Sequence, residues 1–160
     1  MIVTPPPIDL PFQTPVLPPP GPRTQRSIIV VEDEPSICRA VSIWLTRAGY
    51  QPFTATTGEA ALNHIRTQYV DMMLIDLRIP DMRGDVVFHL ATALQPQLRQ
   101  QTLFMTGDVT EQAEELILAC DCPLLMKPFD LTDLAKSITN IASKIPAEAT
   151  DIPVLKIAQG

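Results

Sequence analysis

The chain has 160 residues, 46% apolar and 19% charged, which is enough for one domain with its own core. Its 12 basic and 18 acidic side chains give a net charge of −6, which argues against direct nucleic-acid binding. No apolar run approaches the ~18–20 residues that a bilayer requires, so we expect no membrane span. The chain has three cysteines and no cationic signal region at its start. We therefore expect a cytoplasmic location, with the thiols in or near the core, at Cys38, Cys120 and Cys122.

Proline dominates the first part of the chain, since nine of the 17 prolines lie within the first 22 residues. Repeated proline favours an extended conformation, so residues 1–26 are interpreted as a Pro-rich tail. Apolar residues are interleaved with these prolines. The segment is therefore either a disordered leader or an arm that docks on a partner protein, and both interpretations stay open. Residues 146–160 are interpreted as a second, shorter tail.

Between residues 27 and 145, short apolar segments alternate with segments of helical spacing. The predicted strands are 27–31, 50–55, 71–76, 102–106 and 124–126. The predicted helices begin at Pro35, Gly58, Asp85, Thr110 and directly after Asp130, and the last one continues over Leu131 and Ile145 to Pro146. Thr57 and Asp130 are the expected caps. Five such units predict an α/β fold with a doubly wound parallel sheet and helices on both faces.

Polar side chains follow four of the five predicted strands, at the edge of the sheet where ligands bind in this class of fold. Glu32 and Asp33 follow strand one, and Asp76 ends strand three. Three carboxylates at one edge are costly unless a cation neutralises them, and hard oxygen ligands with open positions suit Mg²⁺. Thr106 ends strand four and Lys127 follows strand five, which adds a hydroxyl and a positive charge suited to phosphate.

The segments IIVVEDEP, LIDLRIPDMRG, FMTGD and LLMKPFDLTDL, in this order, resemble the response-regulator receiver domains of the CheY-like family over about residues 27–145. The resemblance implies a flavodoxin-like sheet in the order 2-1-3-4-5. It also implies that Asp76 is the phosphoacceptor, and that Thr106 and Lys127 contact the phosphoryl oxygens. Glu32, Asp33, Asp76 and the backbone carbonyl of Arg78 would hold Mg²⁺. The partner implied is a histidine kinase or a phosphotransfer protein, and the chain would be a signalling phosphoacceptor rather than an enzyme.

One residue departs from the family pattern. Many receivers carry Tyr or Phe three residues before the lysine, where this chain has Leu124, so we expect no aromatic switch at this position. The run from residue 123 to 129 is more similar to receivers of hybrid kinases and phosphorelays. Only about 15 residues follow the predicted domain, so we expect a stand-alone receiver without an output module.

Two functions therefore compete at this point. The first is a phosphoacceptor of a two-component system or phosphorelay that signals by docking on another protein. The second is a binding or assembly subunit held in a larger complex through residues 1–26, with phosphorylation incidental. A third class, the haloacid-dehalogenase-like phosphatases, needs an aspartate two residues after the nucleophile, where this chain has Arg78.

Overall fold

The computed structural model describes residues 17–18, 20–108 and 110–145. Five strands form one parallel sheet: β1 Ser27–Val31, β2 Gln51–Ala55, β3 Met72–Asp76, β4 Thr102–Thr106 and β5 Leu124–Met126. The helices are α1 Pro35–Arg47, α2 Gly58–Thr67, α3 Gly84–Leu94, α4 Glu111–Cys120 and α5 Leu131–Ala142, with a short 3₁₀ turn at Pro96–Gln100. The strand order β2-β1-β3-β4-β5 confirms the predicted doubly wound sheet.

Both faces of the sheet are covered, because β1, β3 and β4 are buried along their whole length. Successive side chains of a strand point to opposite faces, so each strand contributes to two apolar layers. Ile75 and Phe104 belong to the layer that also contains Ile65 of α2. Leu74 and Met105 belong to the other layer, with the residues of α1 and α5. Because β1, β3, β4 and β5 are paired in parallel, their carboxyl ends lie at one edge of the sheet.

The predicted caps Thr57 and Asp130 are confirmed, at the starts of α2 and α5. The Thr57 hydroxyl accepts a hydrogen bond from Ala60 N, and the Asp130 carboxylate accepts one from Asp133 N at 2.9 Å. Each satisfies an amide of the first turn that has no partner inside the helix. Thr110, predicted as the first residue of its helix, is instead the cap that precedes α4. Helix α3 begins at Gly84, one residue before the predicted start at Asp85.

The predicted end of the last helix was wrong. We expected it to continue over Ile145, but α5 ends at Ala142 and Ile145 N bonds Ala142 O in a turn. Ile145 precedes a proline, and a residue in that position is disfavoured in the helical region. Its side chain is nevertheless buried, at 7% exposure. The helical spacing therefore predicted the burial of Ile145 correctly, although the residue lies in a turn. Leu131, expected on the buried face, is 45% exposed at the first turn.

Two arginines of the predicted N-terminal tail contact the domain. Arg23 donates to both carboxylate oxygens of Asp71, at 2.6 and 2.7 Å, and its guanidinium lies over the ring of Tyr69. Arg26 donates to Ala142 O at the end of α5. Both contacts lie at the edge of the sheet where the strands begin. Most of the predicted leader (residues 1–16) and the predicted C-terminal tail (146–160) fall outside the described residues.

Candidate functional site at the carboxyl edge of the sheet

The three predicted carboxylates meet at the ends of β1 and β3. These strands are paired in parallel, with Val31 opposite Ile75, so the residues that follow or end them become neighbours. Glu32, Asp33 and Asp76 each offer one oxygen, and these oxygens all lie within 4.8 Å of one another. Glu32 is fully buried and Asp76 is 6% exposed, whereas Asp33 is open to solvent. The set is therefore a half-buried group of hard oxygen donors.

Lys127 supplies the positive charge of the site. Its Nζ lies 2.6 Å from Oδ2 of Asp76 and 2.6 Å from Oε2 of Glu32. Burial is the main cause that raises the pKa of Glu32, and the ammonium of Lys127 offsets only part of that effect. Burial also acts to lower the pKa of Lys127, but the two carboxylates outweigh it and the pKa is raised overall. Lys127 therefore stays charged between two acidic partners.

Backbone amides of the loops orient the buried carboxylates. Arg78 N donates to Oδ1 of Asp76 at 2.9 Å, and Glu34 N donates to Oε1 of Glu32 at 3.1 Å. Helix α3 begins against the chain that follows Asp76, where Gly84 N donates to Leu77 O at 2.8 Å. A Cβ at Gly84 would overlap the carbonyl oxygen of Asp76 and lie 2.9 Å from the Cα of Leu77, so the site requires glycine there.

Thr106 ends β4 beside these groups and is buried, at 1% exposure. Its Oγ1 accepts a hydrogen bond from Asp108 N at 3.0 Å, while its own hydroxyl proton stays available for donation. A cleft of about 450 Å³ brings Thr106 together with Asp76 and Lys127. The structure thus assembles the side chains of all five residues that the sequence singled out.

One feature of the cleft was missed by sequence reasoning. The Arg78 side chain, to which no role was assigned, donates from Nε to Oδ2 of Asp108 at 2.6 Å, and both residues line the cleft. The Asp108 carboxylate also accepts from Thr110 N at 3.0 Å. Thr110 first, and then Arg78, lower the pKa of Asp108. The opposite charges of Arg78 and Asp108 were visible in the sequence, but their pairing depends on the adjacency of β3 and β4.

The other residues that the sequence singled out lie outside the site. Cys38 and Cys120 are buried and Cys122 is partly buried. Burial raises the pKa of Cys120 to about 11 and that of Cys122 to about 12, which makes both thiols poor nucleophiles near neutral pH. Leu124 lies on the edge strand β5 and is 37% exposed. None of the helices among the described residues is long and apolar enough to cross a membrane.

Known proteins with a similar sequence agree with the site at the carboxyl edge of the sheet. Residues 28–139 match the family described as the response regulator receiver domain. The transcriptional regulatory protein KdpE of Mycobacterium tuberculosis is 30% identical over 132 residues, which are 81% of this chain and 57% of that protein. The transcriptional regulatory protein ZraR of Escherichia coli is 28% identical over 82% of this chain and 30% of its own length. This chain thus spans only part of these curated relatives.

Solved structures agree with the fold. The chemotaxis response regulator CheY4 of Vibrio cholerae superposes with a TM-score of 0.66 at 28% identity, over 74% of this chain and 99% of that one. The receiver domain of a sensor histidine kinase of Pseudomonas aeruginosa, solved with magnesium in its active-site cleft, gives 0.67 at 23% identity over 75% and 99%. From the family match and the site geometry together, the chain belongs to the response-regulator receiver family of two-component signalling, whose members are phosphoacceptors rather than classical enzymes.

Proposed function

We propose that this chain accepts a phosphoryl group on Asp76 from the phosphohistidine of a histidine kinase or phosphotransfer protein, and that it signals by docking on another protein. The observation that carries the proposal is the position of Lys127 Nζ, 2.6 Å from Asp76 Oδ2, beside the paired acidic residues Glu32 and Asp33. A carboxylate flanked by a fixed cation and by metal-binding oxygens is suited to receive a phosphoryl group.

Three carboxylates and one ammonium leave two negative charges at the site, a donor set that fits Mg²⁺. Glu32, Asp33 and Asp76 would hold the ion, and the family resemblance adds the backbone carbonyl of Arg78. The magnesium reported in the related Pseudomonas receiver supports this proposal. When bound, the ion would neutralise charge on the transferring phosphoryl group.

In the proposed transfer, an Asp76 oxygen forms a bond to phosphorus while the bond from phosphorus to the histidine nitrogen breaks. The electron pair of that bond stays with the imidazole, and the product is an aspartyl phosphate. Lys127 stabilises the negative charge that spreads over the phosphoryl oxygens, because its ammonium is already held beside the acceptor. The backbone N–H of Arg78 donates to Oδ1 of Asp76 and so keeps this carboxylate oriented.

Thr106 is the proposed reporter of phosphorylation. Its hydroxyl proton can be donated to a phosphoryl oxygen, while its oxygen holds Asp108 N at 3.0 Å. A movement of Thr106 toward the phosphoryl group would therefore pull the loop after β4. Phosphorylation commonly acts in this way, because a local change of charge shifts the equilibrium between two conformations of a loop. Leu124, exposed on β5, takes the place of the aromatic residue that many receivers use in this response.

Intact-mass spectrometry after incubation with acetyl phosphate and Mg²⁺ tests the acceptor. We expect one phosphoryl group on the wild type and none on Asp76→Asn. Asp121→Asn is the matched control, because Asp121 is exposed in the left-handed conformation that asparagine tolerates. Equal labelling of wild type and Asp76→Asn would refute the assignment.

A further inference from the structure

We infer that residues 1–16, here called the arm, dock on the surface of their own domain, in a groove between α3 and α4, where Asp9 pairs with Arg99. The inference goes beyond the proposed function and does not depend on phosphorylation of Asp76. The groove has a volume of about 330 Å³ and lies between α3, the 3₁₀ turn and the last turn of α4. It is here called the α3–α4 groove, and its lining includes Phe88, His89, Arg99 and Asp121.

The chain enters the domain on the side of the sheet where this groove lies. Arg26 donates to Ala142 O at the end of α5, and α5 covers one face of the sheet together with α1. Arg23 lies over the ring of Tyr69, which follows α2 on the opposite face. From residue 26 back to residue 23, the chain therefore crosses the amino edge of the sheet toward the face that α2, α3 and α4 cover. The segment ahead of Arg23 starts from that side.

The 3₁₀ turn that carries Arg99 adjoins this entry point. Gln97 Nε2 donates to Val70 O at 3.1 Å. The Gln101 side chain donates to the carbonyl oxygen of Asp71, and the carboxylate of this aspartate anchors the entering chain. Arg99 lies between the two glutamines in the sequence, so its backbone is held beside the loop at which the chain enters.

The arm is long enough to reach the groove. Asp9 lies 14 positions before Arg23, the anchored residue. An extended Pro-rich segment rises about 3.1 Å per residue, so these positions span up to about 43 Å. Helix α3, along which the groove lies, has 11 residues and is about 16 Å long at about 1.5 Å per residue. The groove is therefore within reach of Asp9.

Charge complementarity favours the same pairing. Asp9 is the one charged side chain of the arm. Arg99 forms no ion pair or side-chain hydrogen bond with the residues that the structure describes, Asp121 of the same groove included. Ile8 and Leu10 flank Asp9, so an arm held by this ion pair would also bring apolar side chains to the groove.

The rings of α3 suit a Pro-rich occupant. Phe88 and His89 both line the groove, edge to face, with 5.4 Å between their ring centroids. Extended Pro-rich segments are already ordered before they bind, and other domains hold them in grooves lined by aromatic rings. Pro7 and Pro11 lie two residues to either side of Asp9. The arm thus supplies an anion for the guanidinium and prolines for the rings.

Photocrosslinking of the full, unphosphorylated chain tests the inference. The photoreactive residue p-benzoylphenylalanine is introduced in place of Leu10, and mass spectrometry identifies the residues that it joins on irradiation. We expect crosslinks within the same chain, to residues 88–100 or 119–121. Asp9→Asn and Arg99→Gln should each lower their yield about threefold, the size of effect that an exposed ion pair allows. Asp9→Arg combined with Arg99→Asp should restore the yield, because the pair is then reversed but intact.

Arg47→Gln is the matched control. Arg47, like Arg99, is exposed and forms no ion pair with a described residue, but it lies on α1, which covers the other face of the sheet. Its variant should keep the wild-type crosslinks. Crosslinks to α1 or α5, or a yield that Arg99→Gln leaves unchanged, would overturn the inference.

Two further outcomes would also overturn it. Crosslinked dimers whose share rises with protein concentration would mean that the arm binds a second copy of the chain. A lack of crosslinks to residues of the domain would mean that the arm has no docking site on it. Neither outcome involves Asp76, so the proposed function is tested separately by its own labelling experiment.

Discussion

Lys127 and Asp76, 51 residues apart in the sequence, meet with 2.6 Å between Nζ and Oδ2. The same ammonium lies 2.6 Å from Oε2 of Glu32, so Lys127 forms ion pairs with two buried carboxylates. Asp33 adds a third carboxylate within 4.8 Å, and the described site as a whole remains negative. A divalent cation would relieve that excess, and the folded state should respond to it.

Magnesium is therefore expected to stabilise the protein through Asp33. At tenfold excess over its dissociation constant, a ligand that binds only the folded state adds about 1.4 kcal/mol to the free energy of unfolding. Millimolar Mg²⁺ should raise the melting temperature of the wild type and of Glu115→Ala, an exposed acidic control on α4. Asp33→Ala should show no response, and a response equal to that of the wild type would argue against the site.

The magnesium response should also depend on pH. Burial raises the pKa of Glu32 above its usual 4.5, so its folded form gains a proton before the unfolded chain does as the pH falls. Because a metal ligand must be deprotonated, Mg²⁺ and this proton compete. The melting-temperature shift caused by Mg²⁺ should therefore shrink as the pH is lowered through the raised pKa of Glu32.

Gly84→Ala should damage the site without removing any charged group. The three atoms nearest to the added Cβ are backbone atoms of Asp76 and Leu77, which cannot rotate away, so the chain after Asp76 has to shift. We expect a loss of about 1–3 kcal/mol in the free energy of unfolding, the usual cost of overpacking, with slower labelling of Asp76. Gly21→Ala, with no atom within 4 Å of its Cβ, is the control. Wild-type stability and labelling in Gly84→Ala would contradict the close approach of Gly84 to the backbone of Asp76 and Leu77.

Arg23→Ala should destabilise the domain, although Arg23 precedes the first strand. It would leave Asp71, at 1% exposure, without the cation that contacts both its oxygens. Removing one partner of a buried pair should cost about 3 kcal/mol in urea unfolding at neutral pH, the low end for such pairs because the Arg23 side chain is 20% exposed. Arg39→Ala, exposed on α1, should cost little.

Two further comparisons test whether the lost ion pair with Asp71 causes the destabilisation. Asp71→Asn in the Arg23→Ala background should recover part of the loss, because the uncompensated charge is gone. A chain starting at residue 23 should be more stable than one starting at residue 27. Equal stability of these two truncated chains would show that the Arg23 contact contributes nothing.

His64 should make stability pH-dependent just below neutrality. Its ring packs on Phe53 with 4.4 Å between ring centroids, and burial lowers the pKa of His64 below 6.5. The unfolded chain therefore binds the proton first, so stability is lost as pH falls through about 6.5 until the lower folded pKa is reached. Partial exposure keeps this loss below about 1 kcal/mol.

The corresponding variant is His64→Phe, which keeps a ring against Phe53. Unfolding free energies measured from pH 7 to 5 should fall less steeply in this variant than in the wild type. Leu90→Gln, at an exposed position on α3, should retain the wild-type slope. Parallel slopes for His64→Phe and wild type would mean that the half-buried imidazole does not titrate differently on folding.

The succession of strands and helices is predictable from the amino-acid sequence. Buried apolar runs such as 27–31 and 102–106 coincide with β1 and β4, because a strand covered on both faces has to be apolar throughout. Thr57 and Asp130 marked helix starts, because their side chains accept the free amides of a first turn. The five site residues were also predictable, since strand ends of a parallel sheet share one edge.

Which charged side chains pair with each other depends on the folded structure. Arg78 could have met any acidic group near the site, and its partner Asp108 follows from the adjacency of β3 and β4. The pairing of Arg23 with Asp71, 48 residues away, likewise depends on where the chain enters the sheet. Sequence patterns report local spacing and burial, which set the elements. An ion pair is fixed by distance in space, and that distance exists only once the sheet has formed.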